Sequence, residues 1–110
     1  MGTKNKPGTF DCLTHAEPDE PYFLLLARDP VAPVLVRLWV ELRRAIDKKE
    51  EDAAQRAEAL DCRNSMLEWM EKNRPHKLDQ IRTVENGLRA FHMTEAIDLL
   101  VGECAKLAKQ

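Results

Sequence analysis

The fold of this chain is decided by one stretch, Glu17-Pro18-Asp19-Glu20-Pro21-Tyr22-Phe23-Leu24-Leu25-Leu26-Ala27-Arg28-Asp29-Pro30-Val31-Ala32-Pro33-Val34-Leu35-Val36-Arg37-Leu38-Trp39. Four prolines frame a dense apolar run here, and each proline restricts its own backbone and that of the residue before it. The residues before the stretch are mostly polar, whereas those after it repeat apolar side chains at helical spacing. The stretch therefore separates a polar lead from a helical domain.

The apolar run over 22–27 has two interpretations. An unbroken run of this length is typical of a buried strand, but a strand needs a partner, and the only other candidate is a weak one at 9–14. As a two-turn helix, the run would be capped by Asp19, with Glu20 and Pro21 in the first turn, where acids and proline are tolerated. Periodicity does not distinguish the two for so short a run, and of the two we favour the helix.

A long helix is predicted to start at Pro33, because proline fits the first helical position. Its apolar face repeats at the spacing of one helix side and consists of Leu35, Leu38, Trp39, Leu42 and Ile46. An apolar gap follows over 47–52. The gap predicts a helical hairpin whose second helix runs over 53–72, and the alternative is one continuous helix over 30–73. We favour the hairpin.

Two further helices are predicted after Asn73-Arg74-Pro75, which can end one helix and start the next. Their apolar stripes differ in phase, so we expect a bend near His92 to Thr94. The chain is therefore predicted to be all-α, with a short N-terminal helix or extended segment packed on a helical hairpin plus one or two further helices. We expect a flexible lead over 1–16 and a single helical domain over 17–110.

Composition excludes several classes of function. The net charge of −2 and the pI near 5.9 argue against nucleic acid as a partner, because nucleic-acid binders normally present a basic face. No apolar run approaches the roughly 20 residues of a membrane span, and no apolar core of a signal peptide follows the first lysines. The three widely spaced cysteines form no disulfide framework. We expect a cytoplasmic protein without a membrane partner.

No residue pattern predicts catalysis or metal binding. The only serine, Ser65, lies within a predicted helix and has no framing glycines or nearby base, whereas a nucleophile needs a base within reach. The histidines His15, His76 and His92 are isolated and lack the spacing of metal ligands. We therefore predict that the protein is not an enzyme, has no catalytic residue, and requires no metal or cofactor.

Arginines close in sequence to aromatic rings are the strongest candidate binding feature. Arginine holds anions through bidentate hydrogen bonds and stacks on rings, and the N-terminus of the first long helix would attract an anion as well. Asp29 would compete if it caps that end. The predicted site lies at the junction of the central stretch and the first long helix and comprises Tyr22, Arg28, Arg37 and Trp39, with Arg89 and His92 contributed by the third helix.

A homo-oligomer is predicted from the apolar circumference of the first long helix. Apolar residues over Val34–Val40 cover most of that helix, and a helix that is apolar nearly all round must be buried by something. In a chain with only three or four helices, a second copy is the simplest solution. We expect the contact to use this region, including Trp39.

The block over 18–39 resembles a group of small uncharacterised proteins of tailed phages and prophages of Gram-negative bacteria. The residues that carry the resemblance are Pro18-Asp19-Glu20-Pro21, Phe23, Leu25, Ala27, Asp29, Ala32-Pro33, Val36 and Trp39. The resemblance implies an accessory, counter-defence protein of the bacterial host cytosol that binds and inhibits a host protein without catalysis. The alternative is a protein that sequesters a small anionic ligand, such as a cyclic nucleotide signal.

Overall fold

Five α-helices make up the part of the chain that the computed structural model describes, which is residues 1–47, 50–90 and 93–107. A single 3-10 turn at Pro75–Lys77 joins the third helix to the fourth, and the described residues contain no strand. The predicted all-α class is therefore confirmed. The helices are α1 (Cys12–His15), α2 (Ala32–Ile46), α3 (Glu50–Asn73), α4 (Leu78–Ala90) and α5 (Met93–Leu107).

The helices α2 and α3 form the predicted hairpin and share the most extensive packing of any helix pair. The helix α2 begins one residue before Pro33, and Asp29 organises its entry. The Asp29 carboxylate accepts the Val31 N–H at 3.0 Å, and the Asp29 carbonyl oxygen accepts the Ala32 N–H at 3.0 Å. At the other end, Asp47 adopts extended backbone (φ −64°, ψ 138°) and stops α2. The alternative of one continuous helix over 30–73 is thus excluded.

A doubly paired carboxylate closes the hairpin. Asp47 is only 3% exposed, and its two oxygens each accept a guanidinium N–H, from Arg43 of α2 and from Arg56 of α3, both at 2.6 Å. Hydrogen bonds between charged groups are roughly twice as strong as neutral ones. Because Arg43 and Arg56 belong to different helices, this one carboxylate fixes the end of α2 against the first turns of α3.

We predict that Asp47→Ala lowers the free energy of unfolding by about 2 to 3 kcal/mol, because it leaves two partly buried guanidinium groups without their anion. Urea unfolding followed by circular dichroism measures the loss. Glu41→Ala is the matched control, since Glu41 pairs with Arg44 at 3.6 Å while both side chains are largely exposed. Exposed pairs contribute little, so the control should change stability by less than about 0.5 kcal/mol. Equal losses in the two variants would contradict this role for Asp47.

The core is small and centres on α2. This helix contacts α3, α5 and α4, and its Val40 is completely buried, whereas Val34, Val36 and Leu38 are half-buried. The wide apolar circumference expected to meet a second copy is therefore covered mostly by this chain's own helices. The buried apolar residues among those described are Ala32, Val40, Ala59, Met66, Met70 and Ile81.

The run over 22–27 is neither helix nor strand, so the helix predicted there is wrong. The nearest backbone hydrogen bonds belong to turns on either side of the run. The Glu20 N–H donates to Glu17 O at 3.1 Å before it, and the Asp29 N–H donates to Leu26 O at 3.0 Å at its end. A helix of six residues could close only about two helical hydrogen bonds, too few to offset the entropy of nucleation. The weak strand candidate at 9–14 is replaced in part by α1.

The helix α3 begins at Glu50, three residues before its predicted start, whereas its end and the division between the two later helices agree with the prediction. The helix α3 ends at Asn73, and Arg74 leaves the helical region (φ −144°, ψ 58°) before Pro75. The helices α4 and α5 are separate and pack against each other, as their different apolar phases predicted. The residues that join them, 91–92, lie outside the described part, and the predicted bend position falls partly on them.

Candidate functional site

Glu58 of α3 holds the N-terminal lead against the helical hairpin. Its Oε1 accepts the Thr9 N–H at 2.7 Å and its Oε2 accepts the Phe10 N–H at 3.0 Å. The α-amino group of Met1 lies 3.4 Å from Oε2. Gly8 allows this approach, because a Cβ at that position would lie 2.7 Å from Glu58 Oε1. The lead over 1–16 therefore contacts α3 in the structure, and its flexibility stays a prediction.

The environment of Glu58 favours its charged form. Desolvation alone would raise the pKa of the carboxyl group, but the hydrogen bonds from Phe10 and Thr9 and the nearby α-amino group outweigh it, so the pKa is lowered from its ordinary value of 4.5.

One turn further along α3, burial raises the pKa of the Cys62 thiol. The three cysteines are free thiols, with Cys12 exposed and Cys62 and Cys104 half-buried.

We predict that acid weakens the docking of the lead. Because docking lowers the pKa of Glu58, its contribution is complete above pH 4.5 and is lost as the pH falls through the lowered pKa. The amide chemical shifts of Thr9 and Phe10, followed from neutral pH to about pH 3, should titrate together below this ordinary carboxyl value.

Glu58→Gln should abolish that titration, whereas Glu68→Gln, at an exposed position of the same helix, should preserve it. An unchanged titration of both amides in Glu58→Gln would show that another group controls the lead.

The structure describes the side chains of four predicted site residues, and all four are exposed. They do not bond to one another. The four are Tyr22, Arg28, Arg37 and Trp39. Tyr22 is 64% exposed in the irregular segment, Arg28 is exposed in the following turn, and Arg37 is exposed on α2. No hydrogen bond or ion pair joins any of these residues to another described residue of the predicted site. Arg89 lies in α4, and its side chain falls outside the described part, as does the whole of His92.

Arg37 and Trp39 do not face each other, although they are close in sequence. Residues two apart on an α-helix lie about 200° apart around its axis. Trp39, which is 37% exposed, instead shares its face with Leu35 and Val31, at intervals of four residues. At the start of α2, the Asp29 carboxylate accepts the N–H of the N-cap residue Val31 and adds a negative charge, although it makes no side-chain hydrogen bond to the first turn of the helix.

The arginine–aromatic contact that the structure does form was missed by the sequence analysis. The guanidinium carbon of Arg74 lies 5.7 Å from the centroid of the Trp69 ring, within the range of a cation–π interaction. The side-chain amide of Asn73 donates a hydrogen bond from Nδ2 to Trp69 O at 2.9 Å, in the last turn of α3. Trp69 and Arg74 are five residues apart, and Arg74 lies beyond the end of α3. Helical periodicity therefore does not predict that these two side chains meet.

A shallow cavity of about 260 Å³ lies between α3 and α4. Two arginines of its lining, Arg63 and Arg82, bring positive charge to one place, and Glu85 adds a carboxylate. The Nε of Arg63 is buried and has no hydrogen-bond partner among the described residues. An unsatisfied buried donor is costly, but an atom without accessible surface cannot contact an anion in the cavity, so it is the charge of the two arginines that favours an anion there. The apolar lining residues are Leu67, Leu78 and Ile81.

A second cavity, of about 390 Å³, lies between the docked lead and α3. The lead supplies most of its lining, whereas α3 contributes Gln55. His15 Nε2 lies 3.1 Å from Thr9 O and ties the two ends of this part of the lead together. The cavity therefore exists only while Glu58 holds the lead in place. The lining residues from the lead are Thr9, Phe10, Asp11, Cys12 and His15.

Comparisons with known proteins leave the chain without an assigned family. No family model, curated protein or solved structure matches it. Among the described residues, no helix combines the length and apolar character needed to cross a membrane. In the same part of the chain, no three His, Cys, Asp or Glu side chains come together as a group that could hold a metal ion. The helices alone define the fold class as all-α. The resemblance to phage proteins stays a prediction.

Proposed function

We propose that the protein binds and inhibits a host protein, without catalysis, as an accessory factor of a phage in the bacterial cytosol. The observation that carries this proposal is an exposed apolar surface on α2, the α2 stripe, formed by Val31, Leu35 and Trp39. Each of these side chains is more than a third exposed. Their spacing of four residues places Leu35 and Trp39 of α2 and Val31, the residue before it, in a row on one side of the helix that stays partly exposed.

The chemistry around the α2 stripe is typical of a protein-binding surface. Protein interfaces are enriched in tryptophan and arginine, and a central tryptophan often carries much of the binding energy. Arg28 is exposed in the turn before α2, and Arg43, four residues after Trp39 on the same side of the helix, has a side chain that is 39% exposed. An apolar row with charged residues around it suits a partner that lays an apolar groove or helix against α2.

We predict that Trp39→Ala weakens capture of the partner from host lysate by at least about tenfold, as loss of a central tryptophan usually does. Quantitative pull-down with tagged protein measures the effect. Trp69→Ala is the matched control, because Trp69 is 40% exposed on α3, close to the exposure of Trp39. A partner that is lost equally from both variants, or from neither, would contradict the assignment to the α2 stripe.

Binding of a small anion is the second candidate function, and the positive charges of Arg63 and Arg82 at the cavity between α3 and α4 favour it. The cavity of about 260 Å³ is smaller than most ligand pockets, which span about 300 to 1,000 Å³. Its size suits a phosphate group better than a whole cyclic nucleotide. The predicted arginines at the start of α2 gain no such support, because the Asp29 carboxylate places a negative charge next to that helix end.

A thermal-shift assay separates the two candidates. A ligand that binds this cavity, present at about 100 times its Kd, should add about 2.7 kcal/mol of stability. That increase corresponds to about 10 °C or more for a domain of this size. Inorganic phosphate and a cyclic dinucleotide are the ligands to compare. Arg63→Ala should abolish the shift, and Arg44→Ala, at an exposed arginine of α2, should not. No shift with either ligand would exclude this candidate.

A further inference from the structure

The chain exposes more surface than a monomer of its size normally does. Its accessible surface is 8441 Å², whereas a folded monomer of 12.6 kDa is expected to expose about 6,200 Å². Its radius of gyration is 15.2 Å, against about 13 Å for a compact domain of this length. The excess of about 2,200 Å² is larger than the roughly 800 Å² that each partner buries in a standard interface. A second copy could therefore cover surface that this fold leaves open.

Much apolar surface lies on the unpaired segment, residues 22–26. Tyr22, Phe23, Leu24 and Leu26 are all exposed, with Phe23 reaching 82%. From Leu24 onward, exposed and half-buried positions alternate. This alternation is the pattern of a strand with one face covered by its own domain.

The backbone of the unpaired segment also lacks partners. None of its amide groups donates a hydrogen bond to a described residue. A row of free amides beside apolar side chains is a template for pairing with another strand. The framing prolines, Pro18, Pro21 and Pro30, restrict how far such pairing could extend along the chain. The segment is thus suited to one short, closed pairing rather than to open-ended assembly.

The positions of the charged residues and of the prolines suit an antiparallel pair of strands, one from each copy, with the two-fold axis at Leu24. In that alignment, Glu20 of one copy and Arg28 of the other lie at the same end of the pair, because Glu20 precedes the segment and Arg28 follows it in the turn over 26–29. Both residues are exposed, and Arg28 forms no ion pair with a described residue. Glu20 accepts the Glu17 N–H at 3.1 Å through Oε1, which leaves Oε2 for Arg28.

The same alignment fits the backbone. If the two Leu24 residues form a hydrogen-bonded pair, Tyr22 and Leu26 also face the partner strand, whereas Pro21 faces away, where its missing N–H costs nothing. Leu26 O already accepts the Asp29 N–H at 3.0 Å, and a carbonyl oxygen can accept a second hydrogen bond. Each Tyr22 ring would then pack across the strands against Leu26 of the other copy.

We propose that two copies of this chain dimerise through the unpaired segment, which forms a two-stranded antiparallel pair centred on Leu24. The contact differs from the one expected from sequence on α2. It leaves the α2 stripe outside the paired strands, so it goes beyond the proposed binding of a host protein.

Light scattering tests the dimer directly. The wild type should reach twice the monomer mass of 12.6 kDa at high micromolar concentration. Leu24→Arg places two like charges opposite each other and should raise the dimer Kd by at least about tenfold. Leu99→Arg is the matched control, because Leu99 is 75% exposed on α5, and this variant should dimerise like the wild type. A wild type that stays monomeric, or a dimer unaffected by Leu24→Arg, would overturn the proposal.

Cysteine cross-linking tests the alignment and does not depend on Leu24→Arg folding normally. In a Cys12→Ser background, Leu24→Cys should form a disulfide-linked dimer, because paired Cβ atoms lie about 5 Å apart. Leu26→Cys should not, since the two copies of position 26 would lie about 14 Å apart along the strands. Equal cross-linking at both positions would overturn the alignment.

A charge reversal gives an independent check of the same alignment. Glu20→Arg and Arg28→Glu should each raise the dimer Kd by about tenfold, and the double variant should restore it. Additive losses in the double variant would overturn the antiparallel pairing. Loss of host-protein capture in Trp39→Ala with an intact dimer would separate this proposal from the binding function.

Discussion

The carboxylate of Asp47 is the interaction on which the arrangement of helices depends. It ends α2, and it pairs with Arg43 on that helix and with Arg56 on the next. The carboxylate is almost fully buried. Removal of either arginine would therefore take a partner from a charged group that water scarcely reaches, which is costly. The hairpin is therefore locked at its turn, and the rest of α2 lies against α3, α5 and α4. The packing of α2 against these three helices depends on that placement.

A small core follows from this architecture, and it explains the exposed surface. Among the described residues, α3 and α5 do not contact each other, and α4 makes few contacts with α2 and α3, so the apolar faces that point away from α2 have little to cover them. Leu99, Leu100 and Leu107 remain exposed on α5, and Leu35 and Trp39 remain exposed on α2. A domain of this size has a high ratio of surface to volume. The described part of the fold thus leaves several apolar surfaces exposed on α2 and α5.

The N-terminal lead adds a second level of organisation. Its backbone amides, rather than its side chains, are held by Glu58, so the lead covers α3 while burying little apolar area. Such a contact depends on the charge of one carboxylate and on the absence of a side chain at Gly8. Because docking lowers the pKa of Glu58, we expect acid to weaken the contact of the lead with α3.

The sequence by itself determined the helical class, the hairpin and the end of α3 at Asn73. These features depend on local signals, namely apolar periodicity, an apolar gap and a proline after a helix stop. The sequence did not determine the state of residues 22–27, because a short apolar run has no periodicity that distinguishes helix, strand and irregular backbone. Nor did it identify Glu58, whose partners are backbone amides that every residue except proline carries.

Only the tertiary structure decided which apolar and charged groups remain available. Val40 and Trp39 are neighbours in sequence, yet one is fully buried and the other is exposed, because α3, α4 and α5 cover some faces of α2 and leave one free. Arg37 and Trp39 looked like one site in the sequence but lie on different sides of the helix, and the arginine that does stack on an indole is Arg74 on Trp69. Periodicity gives the direction of each side chain around its own helix axis. The faces that other helices cover are set by packing between distant parts of the chain, and that information is not local.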